Sequence, residues 1–118
     1  KKKINLNSPK PIFIHSVFQH EEQYVDILSL GRIIDSELRT LDNTSDSEIV
    51  FLNTNEYYDA FSIQGRYLLK EGGGLKINVR LVKDKSLIKA FEVESANAGK
   101  AKTEIVNTVL EAIRPLLD

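Results

Sequence analysis

The chain has 118 residues, 42% hydrophobic and 28% charged, a composition that describes one globular domain with a single core and not a disordered segment. A formal net charge of -1 leaves no bulk field to draw nucleic acid or an anionic membrane, and no apolar run approaches the ~20 residues that span a bilayer. With no cysteine, disulfides, thiolate metal sites and a cysteine nucleophile are excluded. Residues 1–10 are lysine-rich and lack periodicity, so they read as a tail or linker, and residues 11–118 as one domain. The sequence has no methionine, even at position 1, and is expected to be a fragment or a processed form.

Residues 11–18, "PIFIHSVF", are rich in β-branched and aromatic side chains and predict a strand buried on both faces. In the following residues 21–42, Tyr24, Ile27, Leu28, Gly31, Ile34, Leu38 and Leu41 recur at steps of three and four. That spacing predicts one amphipathic helix, with Glu21 and Glu22 opposing its dipole and Gly31 allowing close approach to the sheet. "DNTSDS", residues 42–47, is turn chemistry, and residues 48–53 predict a second strand parallel to the first. Residues 54–60 predict a turn or a short helix. From Phe61 the period drops to two: Phe61, Ile63, Gly65, Tyr67 and Leu69 alternate with Ser62, Gln64, Arg66 and Leu68. Leu75, Ile77, Val79 and Leu81 repeat the beat, and a weaker version runs through "SLIKAFEVES". With "EGGG" and "KDKS" between them, the three runs predict an antiparallel meander with one face on the core. Residues 97–118 predict a closing helix, capped by Ser95 or Asn97 and ended near Pro115.

The fold class expected is therefore α/β in the mixed, α+β sense. A five-stranded mixed sheet is built from a βαβ unit followed by the meander, with two main helices.

No catalytic constellation emerges, and no cofactor or metal is expected. A phosphate-binding loop needs its glycines between a strand and a helix, so that helix amides meet the phosphate. Gly72, Gly73 and Gly74 precede an alternating strand, and they read as a hairpin tip that needs positive φ. Gly99-Lys100 does precede a helix, but Glu94 stands where the first glycine belongs and Ala101 where the hydroxyl belongs. His15 and His20 are five apart, and a regular strand would point them to opposite faces. Asp26, Asp35 and Glu37 fall on the polar side of the predicted first helix, where solvation accounts for them. Tyr57 and Tyr58 adjoin in a surface segment, and Lys76 and Arg80 point outward from the middle strand of the meander. These four are the candidate partner-binding residues.

The strand "IFIHSVF", the helix "ILSLGRIIDSELRTL", the run Ile63-Gln64-Gly65-Arg66-Tyr67 and the strand "LKINVRLVKD" carry a resemblance. Together they resemble the TolB amino-terminal-like domains of bacterial envelope and signalling proteins, related in fold to the LpoB and CsgG types. The resemblance covers about residues 11–114. It implies a non-catalytic protein-interaction or adaptor domain in the periplasm or cell envelope, lipoproteins included, with the cytoplasm as the other placement. The partner implied is an envelope or signalling protein, and assembly with further copies is compatible with it. The alternative is a small-molecule or nucleotide sensor, its ligand at the carboxyl ends of the parallel strands near His20 and Asn53.

Overall fold

A computed structural model of the chain describes residues 10–45 and 47–117. The elements are β1 (Ile12–Phe13), β2 (Val17–His20), α1 (Leu30–Asp42), β3 (Val50–Phe51), β4 (Phe61–Leu69), β5 (Leu75–Lys83), β6 (Ser86–Ser95) and α2 (Ala98–Ile113). A 3-10 turn, Arg114–Leu117, follows α2, so the helix stops just short of Pro115. The expected tail, residues 1–10, lies outside the described residues apart from exposed Lys10.

The fold is α+β, as the alternation and the helical spacing predict. One mixed sheet runs β3-β1-β4-β5-β6, with β2 prolonging the β1 row along β4. Strands β1, β2 and β3 are parallel to their neighbours, and β4-β5-β6 is the antiparallel meander. Ile63, Tyr67, Ile77, Val79, Leu81 and Val93 supply the core side of the meander. Against them pack Leu30, Ile34 and Leu38 of α1, and Ile105, Val109 and Ile113 of α2. Both helices thus lie on one face of the sheet. The opposite face carries Gln64, Arg66, Lys76, Asn78 and Arg80.

Two of the expected elements form differently. The first strand is broken, and the register shows how: Phe13 pairs with Phe61 and Val17 with Gln64, four residues of advance against three. One extra residue in the row shifts the alternation, as a β-bulge does. Phe13 and Phe18 consequently both reach the core, although a regular strand would set residues five apart on opposite faces. The single expected strand becomes two, and the sheet has six strands in place of five.

The first helix begins at Leu30 and not near Glu21. Residues 21–29 instead form a turn held by two side chains. The His20 ring accepts the Glu22 and Gln23 amides at 3.1 and 3.3 Å through Nδ1. Asp26 accepts the Leu30 and Gly31 amides, each at 2.8 Å, and so takes up the first orphan donors of α1. Tyr24 and Ser29 adopt left-handed backbone (φ 61° and 54°), which no helix accommodates. Tyr24 and Ile27, expected on the buried face, are exposed. Glu21 and Glu22 lie too far from Leu30 to oppose its dipole. Gly31 behaves as expected: a Cβ there would sit 3.0 Å from the Ser16 carbonyl oxygen, a tight contact, so glycine eases the close seat of α1 on the β1–β2 row.

Candidate functional site

The face that the helices leave open is organised by the pairing of β2, β4 and β5. Arg66 lies opposite Asn78, and Gln64 opposite Arg80. The two arginines are therefore diagonal neighbours, with backbones about 7–8 Å apart. On the other side of β4, Val17 pairs with Gln64 and Gln19 with Arg66. Between these side chains is a depression of about 480 Å³, bordered at one end by Glu21 and including Gly65 in its lining. Gly65 matters to this shape from beneath. A Cβ on it would sit 2.5 Å from the Phe18 ring and 2.9 Å from the Asn78 carbonyl oxygen, so glycine leaves room for the Phe18 ring against β4.

A second depression, of about 470 Å³, adjoins the first and contains Tyr57, Tyr58, Ala60, Ser62 and Lys85 in its walls. Val17 and Gln64 line both, so the two form one continuous surface. The tyrosines stand on the loop of residues 54–60, which has no helix. Thr54 closes its start by accepting the Glu56 amide and donating to the Glu56 carbonyl. Its end is fastened to the β5–β6 turn: the Asp59 amide donates to Asp84 at 2.9 Å, and Lys83 contacts the Asp59 carboxylate at 3.1 Å. Within that anchored loop, Tyr58 is 87% exposed and Tyr57 about half exposed. Val17 adds another apolar side chain open to solvent.

Of the four candidate partner-binding residues, the fold thus sets Tyr57, Tyr58 and Arg80 around this surface. Lys76 faces the same way but borders neither depression, and it pairs with Glu92 at 3.9 Å. Arg66, Val17 and Gln64 were not among the candidates. Arg66 and Gln64 had a signal, since they occupy outward positions of the alternation. Val17 had none, because its orientation depends on the extra residue between β1 and β2.

The polar groups on the helix side form two clusters. The Tyr67 hydroxyl donates to Asp26 and accepts the Leu28 amide at 3.1 Å. Burial, reinforced by the Asp26 carboxylate, pushes its pKa up to about 12. Asp35 is buried, accepts the Ser16 amide at 2.8 Å and meets His15 Nδ1 at 3.2 Å. Burial raises its pKa above the ordinary carboxylate value, although the Ser16 amide and His15 pull the other way. Asp26 and Asp35 are therefore not the solvated helix residues that the sequence suggested. One ties the turn to α1 and the other ties α1 to the β1–β2 row.

The two histidines also depart from expectation. His15 reaches α1 through Asp35, and His20 stacks edge-on against the buried Tyr67 ring at 5.9 Å. Both thus turn to the helix side, where the bulge has shifted the alternation. His20 and Asn53 are not brought together. The chain after β3 returns to His15, whose amide donates to the Thr54 carbonyl, and His20 lies five residues further along the row, roughly 16 Å. Gly72 and Gly73 have φ of 88° and 102°, and the Lys70 amide donates to the Gly74 carbonyl at 2.8 Å. They are a hairpin tip.

Among the described residues no three histidine or carboxylate side chains converge as a cation would require, and no helix is long and apolar enough to cross a membrane. No protein-family model matches the chain, and neither does any curated protein.

Proposed function

We propose that this domain is a non-catalytic protein-interaction module of a bacterial envelope or regulatory protein, of the TolB amino-terminal-like kind, and that the open sheet face with the tyrosine groove receives its partner. The observation that carries the reading is the continuity of that surface. It joins exposed apolar and aromatic side chains (Val17, Tyr57, Tyr58) to arginine and amide groups on a rigid sheet. Tyrosine and arginine are the residue types that concentrate binding energy at protein interfaces, because each combines a large contact area with directed hydrogen bonding. The loop that carries the tyrosines is fastened at both ends, which lowers the cost of ordering it when the tyrosines are covered.

The test is capture of the partner from envelope extracts of the parent organism on the immobilised chain. Tyr57→Ala and Tyr58→Ala should each weaken retention about fivefold or more, equivalent to ~1 kcal/mol, while leaving the melting temperature within a few degrees. Retention unchanged in the double variant would refute the assignment.

A further inference from the structure

The basic residues around the β4–β5 hairpin fall into two groups. Lys70, Lys76 and Lys83 each face a carboxylate, those of Glu94, Glu92 and Asp59 at 3.2, 3.9 and 3.1 Å. Arg66 and Arg80, the two in the middle of the open face, form no ion pair among the described residues. Like charges on diagonal neighbours of one sheet face repel, so this arrangement costs the free protein stability. The lysines at the margins are neutralised and the arginines at the centre are not, which is the pattern of a face awaiting negative charge. Beside the guanidinium groups stand the amide side chains of Gln19, Gln64 and Asn78, which can pair with a polypeptide backbone, while the carboxylates of this face include Glu21 at one end of the depression and Glu92 opposite Asn78, the latter in contact with Lys76.

We infer that the open face binds an extended acidic segment of the partner, in which two carboxylates separated by one residue engage Arg66 and Arg80. The geometry sets the spacing. In an extended chain, alternate side chains point the same way about 6.6–7 Å apart, close to the 7–8 Å diagonal between the arginine positions. Adjacent carboxylates would point to opposite sides, and one would face solvent. Guanidinium takes a carboxylate in two parallel hydrogen bonds, which an ammonium cannot do. Glu21, at one end of the depression, repels a third acidic residue there and so limits the motif to a pair. At the other end Val17 and the tyrosine groove receive an apolar or aromatic residue of the same segment. This inference rests on the interaction-module reading and gives the partner a chemistry.

Fluorescently labelled synthetic peptides test it by anisotropy against the whole chain. One carries Asp-x-Asp within a β-prone sequence ending in a tyrosine, a second has the aspartates adjacent, and a third has Asn-x-Asn. The first should bind about tenfold or more tightly than either of the others. Arg66→Gln and Arg80→Gln should each remove about tenfold, and Lys76→Gln should change little. Arg66→Gln should also leave the melting temperature unchanged or raise it, since a repulsion is relieved. Equal binding of the three peptides, equal loss in Lys76→Gln, or tighter binding of a single-stranded oligonucleotide would each overturn the inference. If the native partner is lost by Tyr57→Ala but kept by both arginine variants, the acidic segment is refuted and the interaction module stands. If all four substitutions leave capture unchanged, the module itself is refuted.

Discussion

Tyr67 lies where the helix layer, the turn of residues 21–29 and the central strand meet. Its ring is fully buried in the core, its hydroxyl links Asp26 to the Leu28 amide, and Asp26 in turn starts α1. One phenol therefore couples the sheet to the beginning of a helix. Removing it with Tyr67→Phe leaves a buried amide and part of a carboxylate without a partner, an expected loss of about 1–3 kcal/mol in chemical denaturation. The same hydroxyl has a titration signature. Its native pKa, about 12, exceeds the value of 10.0 it would have when exposed, so the native state holds this proton more tightly than the unfolded state. The stabilisation it contributes is complete below pH 10 and disappears as pH rises through about 12. In an ultraviolet titration, a tyrosine step near pH 12 should be present, and Tyr67→Phe should abolish it. A late step that persists in the variant would mean that another tyrosine is the buried one.

Among the elements, β4 carries the clearest compromise between packing and surface. Ile63 and Tyr67 fill the core, Gln64 and Arg66 face out, and Gly65 between them is there because Phe18 crosses the strand. Gly65→Ala forces either the Phe18 ring or the β5 backbone to move, since the new methyl group would meet both under 3.0 Å. A cost of about 1–3 kcal/mol is expected, read as a lowered melting temperature, together with weaker partner binding because the depression is built over this glycine. A fully stable Gly65→Ala variant would show that the ring has room to leave. The meander was legible in the sequence because a period of two held over some ten residues per strand, and glycines marked the bend that requires positive φ. α2 was legible from apolar residues recurring at steps of three and four, Ile105, Val109 and Ile113 among them, with Asn97 accepting the Lys100 amide as its cap. The bulge and the start of α1 were not. The bulge depends on where the His15 and Ser16 amides go, to the Thr54 carbonyl and to Asp35, and the start of α1 on what His20 and Asp26 accept; Tyr24, Ile27 and Leu28 meanwhile imitate a helical face while lying in a turn. Of the candidate surface, Arg80 and the tyrosines could be picked out by position. Its continuity could not, because Val17 and Gln64 meet only through β2–β4 pairing.

For the whole molecule, the strand lengths divide the sheet into a firm half and a lightly held one. β4 is paired along all nine residues with β5, and on its other side with β1 and β2 in turn. β3 is held to β1 by two register pairs, whose ladder bonds include those of the Val50 and Leu52 amides, and by one further tie, the Asp42 carboxylate on the Phe51 amide. Opening β3 exposes chiefly Phe51 and the adjoining Ile49, whereas opening β4 dismantles the contacts of both helices at once. Native-state hydrogen exchange should therefore separate the two halves. Central amides of β4 and β5 should exchange only by global unfolding. Those of Val50 and Leu52 should open at least ~1.4 kcal/mol more easily, about tenfold faster. The proposed binding surface rests mainly on the firm half, with the anchored tyrosine loop at its margin, so partner binding should slow exchange in loop 54–60 more than in β4. Uniform protection across the sheet would mean that β3 is integrated with the core as tightly as the meander. In that event the division into a rigid platform and a weaker flank would fail, and with it the expectation that binding orders the loop alone.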